Sequence, residues 1–197
     1  MTNDKAAGRN LVVISGPSGA GKTTVCKAVI AHLADLTMSV SATIRPPRRG
    51  ETDGVDYYFI SRDEFERRLA AGRFVEHAEV FGRLYGTPVE ELERAQRSGK
   101  RLLLEIDVQG GIQIKRKYPE ALAILLLPPD PQALRARLSG RGTEAPEEAQ
   151  RRLAEAQAEV EMARRAGCYD AEVTNDDLPR AIEDVIRIIQ TGRPKRD

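Results

Sequence analysis

The 197-residue chain has no tryptophan, only two cysteines and a formal net charge of +1. Aromatic residues make up 5% of the chain, which leaves little material for stacking the bases of a nucleic-acid strand. Cys26 and Cys168 are too few and too far apart for a disulfide framework or a metal site, so we expect reduced thiols in a cytoplasmic protein. The near-neutral charge gives no general attraction to nucleic acid or to a membrane, so any affinity for phosphate must be local.

Long apolar runs and repeats are also missing. The longest strongly apolar run, "ALAILLL" at 121–127, is far too short to span a bilayer. The polar start of the chain lacks the apolar core of a signal peptide, and no segment recurs at a fixed period. With 41% hydrophobic and 31% charged residues, the composition predicts one globular domain that interacts with neither nucleic acid nor membrane, and it leaves the oligomeric state open.

Short apolar runs alternate with helical patterns along most of the chain, which is typical of an α/β fold with a largely parallel sheet. Between 38 and 85, short alternating segments with Pro/Gly turns and a helix near 62–71 predict a small mixed-β subdomain inserted into that core. Strands are predicted at 11–15, 101–108, 121–127 and 171–174, and helices at 23–33, 88–98, 131–139, 146–166 and 178–190. The helix at 146–166 is densely charged with one narrow apolar stripe, so we interpret it as part of a mobile flap.

The segment "GPSGAGKT", Gly16 to Thr23, matches the pattern G-x-x-x-x-G-K-[ST] between a predicted strand and a predicted helix. Its glycines let backbone N–H groups approach a polyphosphate, and the helix N-terminus adds partial positive charge. Lys22 is expected to reach the β- and γ-phosphates, and the Thr23 hydroxyl to bind Mg²⁺. A glycine-rich turn without a ligand is the alternative. The motif predicts ATP or GTP, and leaves open a switch or motor NTPase or a kinase for a small molecule.

The segment "SATIRPPRRGETDGVDYYF" (41–59) concentrates positive charge on a stiff backbone. Arg45 and Arg48 flank two prolines, and guanidinium groups grip phosphate oxygens in a bidentate way. Tyr57 and Tyr85 are candidates for further donors to the same oxygens. A short basic run is most often a solvated loop, but next to a phosphate loop it favours a second anion site.

Two carboxylates in apolar strand surroundings predict recognition of a base. Glu76 and Asp107 are the acidic residues, and Asp107 lies at the carboxyl end of a predicted parallel strand, where α/β sheets bind ligands. Guanine presents donors at N1 and N2, whereas adenine lacks the 2-amino group and accepts at N1. Two carboxylates with the hydroxyls of Ser41 and Thr87 therefore suit guanine. The alternative for Glu76 is an exposed charge on a strand.

These residues resemble the guanylate kinases of purine nucleotide metabolism, from about Leu11 to Ile189. The motifs that carry the resemblance are "ISGPSGAGKTT", "SVSATIRPPRRGETDGVDYYF", "FVEHAEVFGRLYG", "LEIDVQGG", "RLSGRGTE" and "VTNDDL". The resemblance implies a P-loop NTPase core with a parallel sheet flanked by helices, an inserted mixed-β nucleoside-monophosphate subdomain and a helical lid. We place the core at 9–38, 97–130 and 168–190, the GMP-binding subdomain at 39–96 and the lid at 131–167.

The resemblance also implies the reaction, ATP + GMP ⇌ ADP + GDP with Mg²⁺, and the residues that carry it. The ATP site would contain Gly16, Pro17, Ser18, Gly19, Ala20, Gly21, Lys22, Thr23, Thr24 and Asn175. The GMP base would meet Ser41, Glu76, Thr87 and Asp107, and the GMP phosphate Arg45, Arg48, Tyr57 and Tyr85. The catalytic group would be Lys22 and Arg48 with the lid residues Arg141 and Arg152, which clamp the transferring phosphoryl group.

One departure from the family pattern concerns the metal. Glu105 stands where aspartate is more usual, behind the Mg²⁺ ligand Thr23, and its extra methylene puts the contact with metal-bound water in question. The two histidines, His32 and His77, are interpreted as structural because the attacking phosphate oxygen is already ionised.

Two alternatives to guanylate kinase activity stay open at this point. A ribose bisphosphate kinase shares the phosphate loop but has no need of base-reading carboxylates. A non-catalytic scaffold module that binds phosphorylated peptides predicts a degraded phosphate loop, whereas Lys22 and Thr23 are present here.

Overall fold

The computed structural model describes residues 8–130, 134 and 146–192 of the chain. Its elements agree with the alternating pattern of the sequence. The strands are β1 (Leu11–Ser15), β2 (Leu36–Met38), β3 (Ala42–Thr43), β4 (Tyr58–Phe59), β5 (Phe74–Val80), β6 (Arg83–Pro88), β7 (Arg101–Ile106), β8 (Leu122–Leu127) and β9 (Ala171–Thr174). The helices are α1 (Lys22–His32), α2 (Arg62–Ala70), α3 (Val89–Arg97), α4 (Val108–Lys117), α5 (Pro146–Ala166) and α6 (Leu178–Thr191).

The central layer is a five-stranded parallel sheet in the order β2-β7-β1-β8-β9. Strand β1 is buried on both faces: Val12 and Ile14 pack toward α1 and α6, while Leu11 and Val13 pack toward α3 and α4. Helices that follow neighbouring strands thus cover opposite faces of the sheet. In such a sheet the crevice for a ligand opens at the carboxyl ends of the strands, here β1 and β7.

A second, mixed sheet has the order β4-β3-β6-β5 and encloses its own small core around the stacked rings of Phe65 and Phe74. Strands β5 and β6 form a hairpin whose turn consists of Phe81 and Gly82. The connection from β2 to this sheet is held by Glu91, which is buried and accepts a hydrogen bond from the Val40 N–H at 2.9 Å. The second sheet is therefore anchored beside the carboxyl edge of the first.

Several predicted elements differ from the observed ones. The strand predicted at 101–108 ends at Ile106, because Asp107 caps the next helix and Val108 begins it. That helix, α4, and strand β6 were not among the predicted elements. The helix predicted at 131–139 lies outside the described residues, apart from Leu134. The division into core, GMP-binding subdomain and lid stays a prediction.

The long helix α5 packs through the narrow apolar stripe that its sequence predicts. Ala156 and Ala163 are 1% exposed, and Leu153 and Val160 pack beside them. Gly167 ends the helix with a positive φ of 58°, the left-handed conformation that glycine commonly supplies at a helix C-terminus. In the described part of the chain, no helix combines the length and the apolar character that a membrane span requires.

Candidate active site

A cleft of about 810 Å³ opens between the carboxyl ends of β1 and β7, the second sheet and α5. It brings together most of the residues predicted to bind nucleotides. Those that line it are Gly16, Ser18, Gly19, Gly21, Lys22, Thr23, Thr24, Ser41, Arg48, Tyr57, Glu76, Tyr85, Glu105, Asp107 and Arg152. The phosphate loop and the base-recognition candidates are therefore parts of one site.

The phosphate loop connects β1 to α1. Gly21, at the start of α1, has φ 92°, and a Cβ there would lie 2.4 Å from the Asn175 amide nitrogen, so only glycine fits. Asn175 is buried and donates from that nitrogen to the Ala20 carbonyl oxygen at 2.8 Å, which fixes the far side of the loop. The Lys22 ammonium group donates to the carbonyls of Gly16 at 2.6 Å and Pro17 at 3.0 Å. The cation is thus held across the mouth of the loop.

Thr23 and Glu105 are the candidates for a cation site. The Thr23 hydroxyl donates to Glu105 Oε1 at 2.5 Å, so the longer side chain of glutamate reaches the hydroxyl directly. This donation leaves the lone pairs of the Thr23 oxygen available to a cation. Within the described residues, no group of three or more His, Cys, Asp or Glu side chains is arranged to hold a metal ion.

The basic segment forms the wall of the cleft opposite the phosphate loop. Arg48, Tyr57 and Tyr85 line the cleft, whereas Arg45 is buried behind them at 8% exposure. The Arg45 guanidinium grips Glu51 through two hydrogen bonds of 2.7 and 2.6 Å and lies 4.9 Å from the centre of the Tyr57 ring. Its hydrogen bonds lower the pKa of Glu51 to about 2. Arg45 is therefore fixed before any ligand arrives.

Glu76 and Asp107 line the inner end of the cleft, and the charge of Asp107 acts on Glu76. Glu76 Oε1 accepts from the Thr87 N–H at 2.9 Å and from the Thr87 hydroxyl at 2.7 Å. Asp107 Oδ1 accepts from the Gly110 N–H at 2.7 Å as the N-cap of α4. Burial raises the pKa of Glu76 to about 7, with Asp107 contributing, and burial also raises the pKa of Asp107. The hydrogen bonds that the two carboxylates accept therefore compensate only in part for their loss of water.

Helix α5 closes the remaining side of the cleft. Arg152 donates to the Ser18 hydroxyl at 3.2 Å, and its guanidinium carbon lies 5.6 Å from the centre of the Phe81 ring. Glu159 also lines the cleft, and burial raises its pKa to about 7 even though the Ser18 N–H and the charge of Lys22 act in the opposite direction. Its Oε2 is buried without a hydrogen-bond partner.

Some predicted site residues do not line the cleft. Pro17 and Ala20 take part through their carbonyls, Thr87 through Glu76, and Arg141 lies outside the described residues. Phe81 and Glu159 were missed by the sequence reasoning. Glu159 is one charge among many in its helix, so the sequence does not single it out. Phe81 is distinguished only by its backbone conformation, with a φ of 51°.

Comparisons with known proteins show the family of the chain. The protein-family model described as guanylate kinase matches residues 8–192. The chain is 46% identical to guanylate kinase of Symbiobacterium thermophilum over 185 residues, 94% of this chain and 86% of that protein. It is 47% identical to guanylate kinase of Rubrobacter xylanophilus over 180 residues, 91% of this chain and 93% of that one. The crystal structure of guanylate kinase from Anaplasma phagocytophilum matches with a TM-score of 0.75 and 32% identity, covering 94% of this chain and 86% of the other. The chain belongs to the guanylate kinase family.

Proposed function

We propose that the cleft binds ATP over the phosphate loop and GMP at its inner end, with direct transfer of the γ-phosphoryl group between them. Phosphoryl transfer from ATP to GMP is the activity of the guanylate kinase family and of this chain. One observation carries the assignment of residues: a single cleft is lined by Lys22 and Thr23 and also by the buried carboxylates of Glu76 and Asp107.

The donor phosphates would lie within reach of Lys22. Its ammonium group now contacts two neutral carbonyls, and charged phosphate oxygens are stronger acceptors. We therefore expect it to turn to the β- and γ-phosphates, with the backbone N–H groups of the loop and the N-terminus of α1 sharing the charge. Asn175, which holds the loop at Ala20, is proposed to lie near the adenine.

Mg²⁺ is the proposed cofactor of the donor nucleotide, and the oxygen donors present fit it. The Thr23 hydroxyl donates a hydrogen bond to Glu105, so its oxygen lone pairs remain available to a hard cation, which also takes phosphate oxygens and water as ligands. Bound there, Mg²⁺ would neutralise charge on the β- and γ-phosphates.

The acceptor phosphate would meet the wall formed by Arg48, Tyr57 and Tyr85, with Arg45 behind. Glu51 occupies one edge of the Arg45 guanidinium and also accepts from the Arg48 N–H at 2.6 Å. Tyr85 makes a smaller contribution than Glu51 to the raised pKa of Arg45. We propose that its remaining donors reach the phosphate beside Tyr85, and that Glu51 orients both arginines.

The base would be read by Glu76 and Asp107. Guanine offers N1–H and the 2-amino group, which would add donors to these desolvated carboxylates, so its binding would favour their ionised forms. Thr87 donates both its N–H and its hydroxyl to Glu76. We propose that Thr87 orients this carboxylate, while Ser41, which lines the cleft, is free to contact the base.

No general base is needed, because the attacking phosphate oxygen is ionised at neutral pH. Catalysis would depend on positioning and on charge neutralisation by Lys22, Arg48 and Arg152, with Arg141 as a further lid residue. Closure of the lid would exclude water and limit hydrolysis of ATP. The cytoplasmic location stays a prediction.

The test is a coupled assay of ADP release with GMP, IMP, AMP, UMP, CMP and ribose bisphosphate as acceptors. A site built around hydrogen bonds to the base rejects analogues that leave those groups unpaired. IMP lacks only the 2-amino group, and we expect its kcat/KM to be on the order of 10- to 100-fold lower than that of GMP. Equal use of GMP and IMP would refute the role assigned to Asp107.

A further inference from the structure

Phe81 occupies an unfavourable backbone conformation at the tip of the β5–β6 hairpin. Its φ of 51° and the φ of 69° at Gly82 are both positive, as the favoured two-residue hairpin turn requires. Asparagine, aspartate and glycine are the usual residues at the first of these positions, and a bulky side chain there is uncommon. Phe81 is the one residue other than glycine with positive φ in the described part of the chain.

The Phe81 side chain is not placed there by packing into a core. It is 42% exposed and lines the cleft between the second sheet and α5. Neither the turn nor the hydrophobic effect therefore accounts for an aromatic ring at this position. Backbone strain of this kind is typical of functional sites.

The ring contacts a group that the proposed function assigns to phosphoryl transfer. The Arg152 guanidinium carbon lies 5.6 Å from the ring centre, within the range of a cation–π interaction, while one of its nitrogens donates to Ser18 in the phosphate loop. Arg152 thus bridges the hairpin tip to the loop. A planar guanidinium is weakly hydrated and suited to an aromatic face, whereas an aliphatic side chain offers no such attraction.

We propose that Phe81 is a positioning residue that holds the Arg152 guanidinium beside the phosphate loop for phosphoryl transfer. The inference rests on the proposed function, in which Arg152 meets the transferring group. Phe81 itself touches neither the base nor the phosphates in this account. The ring lies on the second sheet and Arg152 lies on α5. The position of the Arg152 guanidinium therefore depends on the position of the β5–β6 hairpin.

Substitutions at Phe81 separate this role from a structural one. Phe81→Asn suits the positive φ and should raise the melting temperature by about 2–4 °C, yet lower kcat by about 3- to 10-fold. Phe81→Leu should lower kcat equally, and Phe81→Tyr should stay within about twofold of the parent. KM for ATP and GMP should change by less than about twofold in each. Val55→Ser, at an apolar side chain 68% exposed on another turn of the same subdomain, is the matched control and should leave all parameters unchanged.

A double-mutant cycle with Arg152→Ala decides the mechanism. If Phe81 acts through Arg152, Phe81→Leu should have no further effect on kcat once Arg152 is alanine. Normal kcat in Phe81→Leu, or additive losses in the double variant, would overturn the proposal for Phe81. Normal kcat in Arg152→Ala would instead refute the role of Arg152 in the proposed function, so the two failures are distinguishable.

The absence of tryptophan from the chain provides an independent readout. Phe81→Trp introduces the only indole, placed against Arg152, and retains the aromatic face. ATP binding should change its emission, and Arg152→Ala in the same background should remove most of that change. An emission response that is the same with and without Arg152 would contradict the proposed contact.

Discussion

Replacing Glu76 with glutamine should stabilise the ligand-free protein while impairing its use of GMP. Burial, with Asp107 contributing, raises the pKa of Glu76 from 4.5 to about 7. The folded protein therefore retains a proton that the unfolded chain releases between about pH 4.5 and pH 7. The stability linked to this proton is fully present below pH 4.5 and is lost as the pH rises through 7.

The size of the effect follows from the two pKa values. The step from 4.5 to about 7 corresponds to about 3 kcal/mol of unfolding free energy, of which about 2.5 kcal/mol falls between pH 5 and pH 8. Glutamine does not titrate, so the stability of Glu76→Gln relative to the parent should grow by this amount over that range. Burial of the new amide hydrogens costs free energy, but this cost is independent of pH. It shifts the stability of the variant by the same amount at every pH.

The assay is urea unfolding of both proteins at pH 5, 6, 7 and 8, followed by kcat/KM for GMP. The variant should lose on the order of 10- to 100-fold in kcat/KM, because one acceptor for the guanine donors becomes weaker. Glu79→Gln, at an exposed carboxylate on the same strand, is the matched control and should change neither quantity. A stability difference that stays constant from pH 5 to pH 8 would refute the idea that Glu76 is a strained, desolvated carboxylate.

Three further variants test other contacts. Lys22→Ala should lower kcat on the order of 100-fold or more with an unchanged melting temperature, and a folded variant with near-normal kcat would exclude the phosphate-loop mechanism. Glu51→Gln should raise KM for GMP about 3- to 10-fold with little change in kcat, because it loosens Arg45; an unchanged KM would show that this pair does not prepare the phosphate site. Tyr169→Phe should lower the unfolding free energy by about 1 kcal/mol, since its hydroxyl lies 2.8 Å from Ser15 Oγ. A loss of kcat in that variant without a loss of stability would contradict this structural role.

The phosphate loop and the parallel core could be predicted because their signals are local. The segment from Gly16 to Thr23 specifies a strand–turn–helix unit without help from the rest of the chain. Asp107 could be placed at the edge of the sheet for the same reason, since it follows a run, Leu102–Ile106, that is apolar except for Glu105. What these segments bind depends on residues that other elements bring to them.

Helix α4 was not predicted because its residues are determined by tertiary packing and not by helix propensity. Two adjacent glycines in its first turn disfavour a helix locally. A Cβ on Gly110 would lie 2.5 Å from Glu76 Oε2, and one on Gly111 would lie 2.5 Å from the Tyr169 hydroxyl. The glycines are therefore required by the close approach of Glu76 and Tyr169, which no local pattern reveals.

The hydrogen-bond partners of Glu76 and Arg45 could not be predicted from the sequence either. Thr87 reaches Glu76 because the hairpin register pairs these two residues, and the turn that sets the register lacks the usual asparagine or aspartate before glycine. The Arg45–Glu51 pair joins two ends of an irregular loop. The sequence analysis identified most charged residues of the site, with Glu159 as an exception, whereas only the register and the loop conformation decide which of them face a ligand.

The site departs from the rule, followed in the core, that buried side chains are uncharged. Three cleft carboxylates, Glu76, Asp107 and Glu159, have pKa values raised chiefly by burial. A chain selected for stability alone would replace them with neutral side chains. Their presence is explained if substrate groups supply further donors and cations to them. The free energy gained when guanine donates to a desolvated carboxylate then contributes to the affinity for guanine over other bases. Stability gained by Glu76→Gln and specificity lost by it are, on this argument, two measurements of one interaction.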